Sequence, residues 1–161
     1  MSSERLWERE RQLSAADVCV AAARQGRGTA MFVLGDAGLG KTALLDEICR
    51  RAGDDAGDDL VVVRARCDPM EASLAFGVLS QVVHGLGGVD VLWSGPAVQG
   101  EAGASTFYRT LRWLAEAAHG PVLVTLDDLQ WADPDSLGFL GFLCRRLADL
   151  PVAVIASRAW G

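Results

Sequence analysis

Lysine is almost absent from this chain: Lys41 is the only one, and the remaining cationic side chains are arginines. Histidine is also scarce. His84 and His119 stand near predicted helix ends with no partner pattern, so both read as structural. The four cysteines, Cys19, Cys49, Cys67 and Cys144, lie far apart without a Cys-x-x-Cys pair. That spacing excludes a zinc ribbon or a redox dithiol, and three of the four lie in apolar patterns that read as buried thiols. No run approaches the roughly eighteen apolar residues of a membrane helix. No apolar core follows the charged start Met1–Arg5, so a secretory signal is not indicated and a cytoplasmic location is expected. Positive charge is in deficit as well: the net charge is −6, which argues against direct nucleic-acid binding by this segment. The acidity is concentrated in Gly53-Asp54-Asp55-Ala56-Gly57-Asp58-Asp59, read as a solvated loop. There are no internal repeats. What remains is a chain of 161 residues, half of them apolar, long enough for one globular domain.

The lone lysine closes the segment Gly35-Asp36-Ala37-Gly38-Leu39-Gly40-Lys41-Thr42, which reads Gly-x4-Gly-Lys-Thr. This is the spacing of a phosphate-binding loop. An apolar run, Ala30–Leu34, leads in like a strand, and Ala43–Arg50 follows with helical character. The chemistry explains the pattern. A triphosphate must be wrapped closely, and Gly35, Gly38 and Gly40 offer backbone conformations that a Cβ forbids. Inward N–H groups then form an anion nest, and the following helix adds its positive end. Lys41 is expected to reach the β- and γ-phosphates, and the Thr42 hydroxyl to join a Mg²⁺ shell. Asp36, Ala37 and Leu39 complete the candidate nucleotide-binding loop.

Patterning predicts alternating helices and strands. Residues 4–13 are expected as a turn or short helix, and Ala15–Gln25 as a helix with Ser14 and Asp17 as a capping box, ending at Gly26. Strands are predicted at Thr29–Leu34, Leu60–Arg66, Val122–Leu126 and Val152–Ala156. Helices are predicted at Lys41–Ala52, Leu74–Leu86, Ser105–His119 and from Pro134 through Leu150, the last capped by Asp133. Residues 88–103 read as a loop. The alternation implies an α/β fold with a parallel sheet covered on both faces, a three-layer arrangement. One domain is expected over 1–161, with a lead-in helix over 1–28 and a nucleotide-binding core over 29–161.

Val122–Leu126 delivers Asp127 and Asp128 at its C-terminal end, where ligands of open α/β sheets bind. Asp127 is expected beside Thr42 as a second Mg²⁺ ligand. Asp128, one position on, is the candidate that orients or deprotonates water, with Lys41 as its catalytic partner. Ser157 and Arg158, at the end of the fourth predicted strand, are candidate contacts to the terminal phosphate. Trp131 is expected to pack beneath the loop.

The segment Leu123–Asp133, with Asp127-Asp128-Leu129-Gln130-Trp131-Ala132-Asp133, resembles the Asp-Asp-x-Gln-Trp-Ala-Asp stretch of the AAA-type ATPase domains in large LuxR-family transcriptional regulators, part of the STAND-like P-loop group. Cys67–Glu71 with Ala75–Gln81 is similar to a second stretch of those regulators. Leu6–Leu13 resembles their opening Gly-Arg-Glu motif, with Glu8 where that motif has glycine. The resemblance implies an ATP-binding regulatory switch using ATP and Mg²⁺, with protein partners or self-association through the domain. It also implies a sheet truncated after the fourth core strand, with the first strand left as an edge. Three activities fit these residues. They are slow ATP hydrolysis, nucleotide binding without turnover, and phosphoryl transfer to a small molecule, which lacks an Arg-rich lid and acceptor pocket here.

Overall fold

A computed structural model describes residues 3–54, 59–88, 91–92 and 102–160. Most of the acidic run and of the predicted 88–103 loop lie outside the described residues. The elements are α1 (Ser3–Arg24), β1 (Thr29–Gly35), α2 (Lys41–Asp54), β2 (Val61–Arg66), α3 (Gly77–Gly85), α4 (Ala102–Ala117), β3 (Val122–Asp127), α5 (Pro134–Cys144) and β4 (Val152–Ala159). The four strands are all parallel and lie in the order β1-β4-β3-β2.

Two apolar layers cover the sheet. On one face Leu13, Ala16 and Val20 of α1 and Leu44, Leu45 and Ile48 of α2 pack on Val33, Leu123 and Ile155. On the other, Leu79 and Val83 of α3, Leu114 of α4, and Phe139 and Leu143 of α5 pack on Val63, Val124, Leu126 and Val154. Period-two alternation explains the division. Successive residues of β3 and β4 serve opposite layers, so both strands must be apolar throughout. Every residue of β3 is buried, and so are the first six of β4. The three-layer α/β expectation holds. Among the described residues no helix is long and apolar enough to cross a membrane.

Four local expectations are corrected. The first helix is continuous from Ser3 to Arg24, so Ser14 lies mid-helix and caps nothing. Its apolar contacts to the sheet favour one rod over two pieces, and Gly26, at φ +76°, ends it as expected. The second predicted helix starts three residues late, at Gly77, because Phe76 sits in a left-handed conformation (φ 57°). The α5 helix stops at Cys144, short of the predicted Leu150, and a 3-10 turn over Leu147–Asp149 follows. There the Leu147 carbonyl accepts from Gly28 N–H at 3.1 Å, tying the turn to the start of β1. Finally, β4 runs three residues past Ala156 and so contains Ser157 and Arg158. Cys49 and Cys67 are buried, while Cys19 and Cys144 are half-buried.

Candidate functional site

The site begins where β1 hands the chain to α2. Residues 36–40 turn through solvent, and α2 starts at Lys41. Gly38 and Gly40 adopt φ of +79° and +76°, with nothing within 4 Å of a built Cβ. Glycine is therefore required at both for backbone conformation, not for room. Gly35 departs from the expectation. It is the last residue of β1 with no positive φ, and a Cβ there would meet only Leu39 Cδ1 at 3.4 Å.

Lys41 is buried, and its ammonium donates to the carbonyls of Gly35 at 2.9 Å and Asp36 at 2.7 Å. The ammonium therefore bridges the two ends of the loop's first peptide pair. Thr42 Oγ1 donates to Asp127 Oδ2 at 2.7 Å, across 85 residues of sequence. The sheet order explains this contact. β4 lies between β1 and β3, and alternation turns Asp127 to the α2 face, the face of Leu123. Ser157 of β4 shares that face, since its register partner Val33 packs there. Ser157 is fully buried; its Oγ donates to Asp127 Oδ1 at 2.5 Å and accepts from Asp128 N–H at 3.0 Å.

Asp128 holds a left-handed backbone (φ 57°, ψ 48°). Aspartate tolerates this region better than most residues. Its Oδ1 accepts from Gln130 Nε2 at 3.1 Å. Lys41, Thr42, Asp127, Ser157 and Asp128 thus converge at one end of the sheet. Arg158 does not join them: it is exposed, and alternation turns it to the opposite face with Leu34, its register partner. Trp131 is 44% exposed and does not pack beneath the loop. Arg9 and Gln12 of α1 line an open cleft of about 320 Å³ together with Gly38–Lys41. Gln12 was legible only as a member of the Leu6–Leu13 stretch, and its place beside the loop appears only once α1 is packed.

The paired oxygens of Thr42 and Asp127 suit a hard cation such as Mg²⁺. Among the described residues no group of three or more His, Cys, Asp and Glu side chains could hold a metal. A cation at Thr42 and Asp127 would therefore complete its shell with phosphate oxygens and water, the usual arrangement for Mg²⁺. The acidic character of this end is felt by Cys67. Burial, reinforced by Asp128, Asp127 and Asp133, pushes its thiol up to about 12. It is inert at neutral pH. A small apolar cavity of about 40 Å³ lies on the other face under α3, α4 and α5, away from these groups.

Asp133 is the site's fully buried support. Its Oδ1 accepts from Ser136 N–H and Phe76 N–H, both at 2.9 Å, and its Oδ2 from Val78 N–H at 3.2 Å. One carboxylate therefore caps α5 and also gathers the N–H groups at the start of α3. Burial alone would raise its pKa; hydrogen bonds from the Ser136 side chain and from the backbones of Ser136, Val78 and Phe76 outweigh it and hold the carboxyl below its ordinary value. The cap on α5 was legible in Asp133-Pro134. The reach to α3 was not, since nothing local signals a partner 57 residues away.

A parallel three-layer sheet with a glycine-rich turn opening α2, and a carboxylate brought to it from β3, defines a P-loop nucleotide-binding fold. More narrowly, the chain belongs to the AAA ATPase domain family, whose model matches residues 5–155. A comparison with curated proteins gives no match. Among solved structures it is similar to the Orc1 protein of Aeropyrum pernix in complex with DNA, at TM-score 0.65 and 22% identity, over 94% of this chain and 39% of that one. It is also similar to Cdc6p of Pyrobaculum aerophilum, at TM-score 0.61 and 20% identity, over 93% and 38%. The Drosophila ORC bound to DNA gives TM-score 0.60 and 16% identity, over 92% and 36%. At these identities the likeness shows the fold. The chain spans less than two-fifths of the length of each of these three structures.

Proposed function

We propose that this domain binds Mg-ATP and hydrolyses it slowly, as the regulatory switch of a cytoplasmic LuxR-type transcriptional regulator. The observation that carries the nucleotide reading is the Thr42–Asp127 hydrogen bond, which joins the glycine-rich loop's helix to the tip of β3. In this reading Gly35–Thr42 bind the phosphates through backbone N–H groups and the start of α2. Lys41 leaves the loop carbonyls for the β- and γ-phosphates. Thr42 and Asp127 hold Mg²⁺, which supplies charge neutralisation on the phosphates. Asp128 orients the attacking water. Ser157 ties the Asp127 carboxylate and the Asp128 backbone N–H to β4, and Arg158 contacts the terminal phosphate only if β4 shifts. The regulatory assignment rests on the sequence resemblance of Asp127–Asp133 and its two companion stretches. Partners would be ATP and ADP, other proteins, or a second copy of the domain. The net charge of −6 favours no direct nucleic-acid contact by this segment.

The test is Mg-ATP affinity by calorimetry, with phosphate release measured in parallel. Lys41→Ala is expected to weaken binding by at least about tenfold, the loss of one charge-assisted contact. Asp128→Asn keeps the size and left-handed tolerance of the side chain. It is expected to keep binding and to lower phosphate release by about a hundredfold or more. A wild-type chain that binds Mg-ATP, releases no phosphate over hours and labels no added acceptor alcohol leaves only the binding-module reading. A chain that does not bind Mg-ATP removes the nucleotide reading altogether.

A further inference from the structure

Gln130 lies in the 3-10 turn Leu129–Trp131 that follows β3. Its side-chain amide is stretched between two elements. Ala159 N–H, on β4, donates to Gln130 Oε1 at 2.9 Å, while Gln130 Nε2 donates to Asp128 Oδ1 at 3.1 Å. The orientation of this amide is fixed by chemistry. A backbone N–H can only donate, so the amide oxygen must face Ala159 and the NH₂ must face the carboxylate. Only a side chain ending in both an acceptor and a donor satisfies the two partners. Glutamate would serve Ala159 and set a second carboxylate against Asp128; methionine would serve neither.

The anchor point on β4 is not arbitrary. Ala159 is the register partner of Gly35, the first residue of the glycine-rich loop. The next residue, Trp160, donates its N–H to the Gly35 carbonyl at 3.3 Å, and that carbonyl also accepts from Lys41 Nζ. The backbone N–H of Asp128 is held by Ser157, again on β4. The main chain and the carboxylate of Asp128 are therefore both referenced to the strand tip that carries the start of the loop.

We infer that Gln130 is a positioning residue for Asp128, setting that carboxylate relative to the phosphate loop through the tip of β4. This rests on the reading of Asp128 as the group that orients water. A fixed base matters because small misplacement is costly: an error near 1 Å can reduce a rate about a hundredfold.

The test uses Gln130→Glu and Gln130→Met in the full chain, each also combined with Asp128→Asn. Affinity for a non-hydrolysable ATP analogue is expected to stay within about threefold of wild type, while kcat falls about tenfold or more. In the Asp128→Asn background the same substitutions are expected to leave the residual rate unchanged, because a residue acting only through Asp128 has nothing left to position. Thermal melts establish that each variant is folded, and Gln130→Met serves where Gln130→Glu is not. A folded variant with wild-type kcat, or an equal loss of rate in both backgrounds, overturns the inference while leaving the ATPase reading intact. A silent wild-type chain removes the ATPase reading itself, and this inference with it.

Discussion

At the scale of single residues, Asp133 carries the heaviest structural duty in the described chain. Its three backbone donors, Phe76, Val78 and Ser136, are served by one buried carboxylate. Asp133→Ala strands them, and a buried donor left unpaired costs about 1–3 kcal/mol. Water can reach the half-buried Phe76, so a total loss of about 3 kcal/mol is expected in urea unfolding. Asp133→Asn should cost less, about 1–2 kcal/mol, because Oδ1 still serves Phe76 and Ser136 while the new NH₂ faces only Val78 N–H. The acid response follows from the same contacts. The folded carboxyl titrates below its unfolded value, so its contribution is present above the ordinary aspartate pKa of about 3.9 and is lost as pH falls through the folded value. Wild type should therefore lose more stability than Asp133→Asn as pH falls below about 4. Equal acid profiles would show that Asp133 is not the titrating support.

At the scale of elements, local chemistry that repeats with a period was legible and long-range hydrogen bonding was not. The strands showed as short β-branched runs, and the glycine-rich turn showed because its spacing is set by the phosphate it suits. Gly26 marked the end of α1 through a left-handed conformation other residues avoid, and Gly120-Pro121 marked the break after α4 because proline cannot continue a helix. Of the candidate site residues, Lys41, Thr42, Asp127, Asp128 and Ser157 meet at one end of the sheet, whereas Arg158 faces away from them. Gln130 and Gln12 reveal their partners only when β4 and α1 are in place. The late start of α3 was hidden because its cause, the pull of Asp133 on Phe76 and Val78, comes from another element. The early end of α5 was hidden because the Leu147 carbonyl is claimed by Gly28. That last contact yields a test. A Cβ at Gly28 would lie 2.2 Å from Leu147 O and 2.8 Å from Leu150 O, both backbone atoms that cannot rotate away. Gly28→Ala is expected to destabilise the fold by about 3 kcal/mol, the upper range for overpacking, measured by chemical denaturation. Gly53→Ala, where a Cβ meets nothing within 4 Å, is the matched control and should cost nothing.

At the scale of the whole molecule, the two sheet edges are managed differently. The β2 edge is closed by chemistry. Gln81 pairs with the backbone of Arg66, its Oε1 accepting from the N–H and its Nε2 donating to the carbonyl, both at 3.0 Å. Exposed Arg64 and Arg66 add charge there, the usual guard of an edge strand. The β1 edge has neither device. Among the described residues β1 pairs with β4 alone, and Phe32 and Leu34 on its uncovered face are 48% and 46% exposed. Unpaired N–H and C=O groups beside an apolar stripe form a template for another strand. The 161-residue chain is therefore expected to self-associate as concentration rises, by sedimentation or light scattering. Phe32→Lys should suppress that association. Its cost in unfolding free energy should stay below about 1 kcal/mol, since the half-exposed ring gives up little burial and the position keeps its backbone pairing. Mg-ATP affinity should be unchanged, because Phe32 points to the face opposite Ser157 and Asp127. Association that persists in Phe32→Lys would place the contact elsewhere, and association that vanishes only together with nucleotide binding would tie it to the loop and not to the edge.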